Sequence, residues 1–78
     1  RYTKEKVSTT VAAEALYAEA ERTIEKYGDR VEKIVVEKVK RSMAAVKEAL
    51  MRENLEDLKS HKAGLDVSLL ELGRAIHT

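Results

Sequence analysis

Three observations predict an all-α fold, an antiparallel three-helix bundle with a long N-terminal helix overhanging its partners. The 78 residues contain no Pro, no Cys and three Gly, with 37% charged and 44% hydrophobic residues, a composition suited to long helices. Apolar residues recur at steps of three and four along most of the chain. Two short polar joints, at Gly28-Asp29 and at Asn54, interrupt that recurrence. The expected helices cover about 3–27, 30–53 and 55–76 of a single helical domain spanning 1–78.

The third helix has the clearest pattern. Leu55, Leu58, Leu65, Leu69, Leu72 and Ile76 form a narrow apolar seam, with Lys62 in its one polar slot. Asn54 precedes that seam and Asp57 follows three residues later. The Asn side chain can accept from amides of the first turn, so Asn54 is expected to end one helix and begin the next. In the second helix Val36, Val39, Met43, Val46 and Leu50 form the seam, extended towards its start by Val31 and Val35. Upstream, Gly28 is expected in the left-handed position that closes the first helix. Asp29 is expected to cap the second, with Glu32 completing a capping box.

The first helix is less regular. At about 100° per residue, Leu16, Ala20, Ile24 and Tyr27 share one side with Ala13, whereas Val7, Val11, Glu14 and Ala18 lie nearly opposite. Val7 and Val11 either meet a second body or are scattered surface residues, which are common. The bundle core is expected to comprise Leu16, Ala20, Ile24, Val39, Met43, Val46, Leu50, Leu58, Leu65, Leu69 and Leu72. Ile34, Val35 and Val36 either widen the core face of the second helix or mark a contact patch.

The bulk properties exclude several functions. A chain of this size buries only about 60% of its unfolded surface, too little for a large enclosed active site. The net charge is +1 with both signs interleaved, and no basic face suggests nucleic acid. Lys38, Lys40 and Arg41 alternate with Glu32, Glu37 and Glu48, the pattern of a solvated ion-pair surface. No apolar run approaches a membrane span. The chain begins at Arg1 rather than Met and stops at Thr78 within a helical pattern, so it is expected to be a piece of a longer chain.

Catalytic and metal sites find little support. His61 and His77 lack partners at metal-ligand spacing on one face and are expected to be solvated. Ser8, Thr9 and Thr10 have no neighbouring base. Gly28, Gly64 and Gly73 stand singly, so there is no phosphate-binding loop. Gly64 and Gly73 inside a helix cost roughly 1 kcal/mol each relative to Ala, which close helix packing could offset. No catalytic residue, cofactor or metal is expected in this chain.

The run AEALYAEAERTIEKYGDRV, a helix ending EALMREN, and then LEDLKSHKAGLDVSLLELGRAI together resemble the C-terminal helical lid of DnaK-type chaperones, the 70-kDa heat-shock family. The likeness covers about residues 12–76 and rests on the spacing of the joints and the order of the seams. It implies a lid on the substrate-binding domain of an ATP-dependent chaperone that assists protein folding in the stress response. In the family the first helix lies across the peptide-binding β-sandwich with one half and enters the helical bundle with the other. The resemblance therefore implies that Val7, Val11, Glu14 and Ala18 contact the sandwich of the same parent chain. Some members latch to the sandwich through an acidic residue and a His one turn later. Glu14 keeps the acidic type, and Ala18 stands where the His would be. Implied partners of the parent are unfolded client polypeptides, a J-domain co-chaperone and a nucleotide exchange factor. ATP would be bound elsewhere in the parent, in the cytoplasm or an organelle. A freestanding helical interaction or oligomerisation module is the rival expectation, and the isolated segment could self-associate through Val7 and Val11.

Overall fold

A two-residue joint organises the molecule. Residues 4–77 are described by the computed structural model, and they form α1 (Lys4–Tyr27), one 3-10 turn (Gly28–Arg30), α2 (Lys33–Arg52) and α3 (Leu55–Ile76). Thr3, the expected helix start, lies outside the described residues. At the α2–α3 joint, Glu53 adopts the left-handed conformation (φ 56°), and its amide donates to the Leu50 carbonyl. The Asn54 side chain then accepts from the Asp57 amide at 3.1 Å, while the Asn54 carbonyl accepts from Leu58 at 2.9 Å. The Asn satisfies an orphan donor of α3 as its residue type predicts. The acidic first turn, Glu56 and Asp57, complements the helix dipole.

The α1–α2 joint departs from the expectation. No glycine has positive φ, so Gly28 is not a left-handed cap, and Asp29 and Arg30 continue into the 3-10 turn. A tightened last turn meets the terminal carbonyls without a left-handed residue. Consequently α2 starts at Lys33, about three residues later than expected. Glu32 occupies the N-cap position in extended geometry and makes no side-chain cap bond. Its carbonyl instead accepts from the amides of Val35 and Val36. Val31, between the two elements, is half-buried and packs against the core, which secures the joint by apolar contact.

The three helices alternate in direction. α2 and α3 form the most extensive pair, and α1 lies along both. The buried residues are Val39, Met43, Val46 and Ala49 of α2, Leu58, Leu65 and Leu72 of α3, and Ala13 and Ala20 of α1. Leu16, Ile24, Leu50 and Leu69, expected in the core, are half-buried at its margin. At its innermost positions α1 offers only the alanines Ala13 and Ala20, while its larger apolar side chains, Leu16, Tyr17 and Ile24, flank the core. Between α2 and α3, the hydroxyls of Ser42 and Ser68 are 2.9 Å apart and share a hydrogen bond. Among the described residues no buried side-chain polar atom lacks a partner.

α1 is the longest of the three helices at 24 residues, as the sequence predicts. Lys59, near the start of α3, donates to Glu5 in the first turn of α1. Ser8, Thr9 and Ala12 share a groove with Lys59, Lys62 and Asp66. Because α1 and α3 run parallel in this register, the first turns of α1 lie beside α3.

Candidate interaction surface

Helical periodicity distributes the side chains of α1 over two opposed faces. Ala13 and Ala20 are wholly enclosed, with Leu16, Tyr17 and Ile24 flanking them. On the other side Val7 is 48% and Val11 60% exposed, and Glu14 and Ala18 are exposed as well. A rise of 1.5 Å per residue places Val7 and Ala18 about 16 Å apart along this stripe. It is a narrow apolar line interrupted by one carboxylate, Glu14.

The stripe does not end at α1. Glu14, Tyr17, Ala18 and Glu21 line a shallow groove of about 250 Å³ with Lys47 and Leu50 of α2. One turn beyond Lys47, on the same flank of α2, Met51 is 78% exposed. The surface therefore combines Val7, Val11 and Met51 with a mixed-charge groove. Sequence reasoning missed Met51, although its position off the Val39-Met43-Val46-Leu50 seam was a usable signal. Unbranched and polarisable, Met adapts to irregular partner surfaces.

Two further apolar positions went unnoticed. Val67 and Leu70 are each exposed on the back of α3, opposite Leu65 and Leu72. The run of three consecutive apolar residues in α2 divides: Ile34 is exposed, whereas Val35 and Val36 are half-buried.

The remaining candidates stay apart. Among the described residues no group of three or more His, Cys, Asp or Glu could hold a metal ion. His61 and His77 are exposed and belong to different turns of α3 and its end. Thr9 and Thr10 are half-buried and face the bundle. Lys38, Lys40 and Arg41 are exposed, and Lys40 lies about 200° around the helix from Lys38, so they make no single basic face. No described helix is long and apolar enough to cross a membrane.

One electrostatic feature marks the start of α1. The hydrogen bond to Glu5 holds the Lys59 ammonium above its ordinary range. Desolvation opposes that shift, while the charges of Glu5 and Glu56 add to it. Both partners are largely exposed, so the pair contributes little to stability.

No family model matches the chain, and no solved structure matches it.

Proposed function

We propose that this chain is the helical lid of a DnaK-type 70-kDa heat-shock chaperone, closing over an extended peptide held in a β-sandwich of the same parent. The observation that carries this reading is α1 itself, one helix with Ala13 and Ala20 enclosed and Val7, Val11, Glu14 and Ala18 open on the opposite face. The resemblance over about residues 12–76 supplies the second body that such a face implies. On this reading the segment is catalytically silent and binds no cofactor. ATP acts in a separate domain of a cytoplasmic or organellar parent, which also engages a J-domain co-chaperone and a nucleotide exchange factor.

The mechanism is differential contact. A lid favours the closed state only through interactions made there and absent when open. Val7 and Val11 contribute apolar area, and Glu14 a charge-assisted hydrogen bond worth about 1.5–3 kcal/mol. That energy changes peptide dissociation by roughly ten- to 150-fold, within reach of reversal by nucleotide-driven rearrangement. With Ala18 in place of a His, the latch rests on Glu14.

The test joins the chain to a peptide-binding β-sandwich and follows peptide dissociation. Glu14→Ala and Val11→Asp are each expected to accelerate release at least several-fold. Release at the unmodified rate in both variants overturns the proposal.

The exposure of Val67 and Leu70 favours a second reading, because a lid has no use for an apolar back on α3. In that reading the chain is a freestanding helical interaction or oligomerisation module. Sedimentation that shows dimers of the isolated chain, abolished by Leu70→Glu and untouched by Val11→Asp, selects it.

A further inference from the structure

The first half of α1 meets the bundle through unusual chemistry. Among residues 4–12 none is buried, and those turned inward are Lys6, Thr9 and Thr10. Beneath Lys6 and Thr10 lies a gap of about 150 Å³, floored by Ala49, Leu50, Leu55 and Leu58 and edged by Glu53 and Asn54 of the α2–α3 joint. Two of those floor residues belong to the core, with Ala49 3% and Leu58 4% exposed. Polar side chains thus roof an apolar floor without filling the space between, and packing energy is forfeited on both sides. At the same end the Lys59–Glu5 pair is solvent-exposed and open to screening by salt. Past Ala13 the chemistry changes: Leu16, Tyr17, Ala20 and Ile24 all pack on the core.

We propose that residues 4–12 form a detachable strap, which lifts from the α2–α3 joint while residues 13–27 stay fastened, uncovering the floor of Ala49, Leu50, Leu55 and Leu58. Local opening draws on the least stable contacts of a fold, and the first half of α1 has no buried residue to fasten it. Ala13 is the pivot because it is the first enclosed residue of α1. The inference rests on the packing of this chain alone and is independent of the lid reading.

The absence of Cys makes thiol labelling a clean probe. Ala49→Cys reports the floor beneath the strap, and Ala20→Cys reports the interface of the fastened half. Under native conditions Ala49→Cys is expected to label about tenfold faster, and added salt should widen that ratio. Thr10→Leu, which fills the gap, should slow labelling at Ala49→Cys and leave Ala20→Cys unchanged. Hydrogen exchange on the unsubstituted chain provides a second measurement. Amides of residues 8–12 are expected to exchange faster than those of 16–24, the first four amides being left out because no helix protects them. Equal labelling at the two cysteines overturns the strap, as does labelling at Ala49→Cys that ignores Thr10→Leu. Uniform exchange along α1 also overturns it.

Discussion

The two halves of α1 lie against the same two helices with opposite chemistry. From Ala13 to Tyr27 the helix is held by enclosed alanines and flanking Leu16, Tyr17 and Ile24. From Lys4 to Ala12 its inward residues are Lys6, Thr9 and Thr10, with Lys6 and Thr10 beside a gap, and an exposed ion pair joins it to α3. Apolar burial contributes about 25 cal/mol per Å², whereas a solvent-exposed ion pair contributes little and is screened by salt. Continuity of a helix is therefore no guide to how firmly each of its turns is fastened. The same helix can serve as a structural member at one end and as a contact surface at the other.

The sharpest way to break this comparison is to place one substitution on both faces. Ala20→Asp introduces an unpaired charge at a fully enclosed site and should cost about 3 kcal/mol or more. Val11→Asp, on the open stripe, should change stability by no more than about 0.5 kcal/mol. Urea midpoints for the two variants decide the matter, and similar losses would show that the stripe is buried in solution.

The joints offer a smaller contrast. Asn54→Ala removes a cap bond to Asp57 and should cost about 1 kcal/mol, whereas Glu32→Ala, at an N-cap without a side-chain bond, should cost almost nothing. Thermal unfolding of both variants measures the difference. A comparable loss in each would mean that Glu32 caps α2 after all.

Gly64 and Gly73 sharpen the account of α3. A Cβ added at either meets nothing within 4 Å, so close packing does not explain these glycines. Gly64→Ala and Gly73→Ala should each stabilise the chain by about 0.5–1 kcal/mol in chemical denaturation. A loss instead would point to a partner pressed against that position.

The smallest effect concerns the strap end. Lys59 has its pKa raised in the folded state, chiefly by the hydrogen bond to Glu5. Its contribution is therefore fully present below the ordinary lysine value of 10.5 and is lost as pH climbs past that value and through the higher folded pKa. Comparing Lys59→Gln with the unsubstituted chain across that alkaline range should show a small stability difference that vanishes at the top of it. A difference that persists there would assign Lys59 a role other than its charge.

Much of this was open to inspection in the letters. The alternation of three- and four-residue steps determined that Val39, Met43, Val46, Leu58, Leu65 and Leu72 would face inward, because a helix period and a desire to leave water leave no other choice. The polarity of Asn54 determined its cap. The period of α1 likewise separated Val7 and Val11 from Ala13 and Ala20, whatever their eventual partner. Tertiary structure decided the rest. The register of α1 against α3 set Glu5 beside Lys59. The packing of α1 through Ala13 and Ala20 left Leu16 and Ile24 at the margin. At the joints, Glu53 rather than Gly28 took the left-handed conformation, because the trajectory needed to bring α3 back along α2 differs from the one that α1 and α2 require. Local propensity names the residues that can bend a chain, but the packing of whole helices determines where the bend must fall.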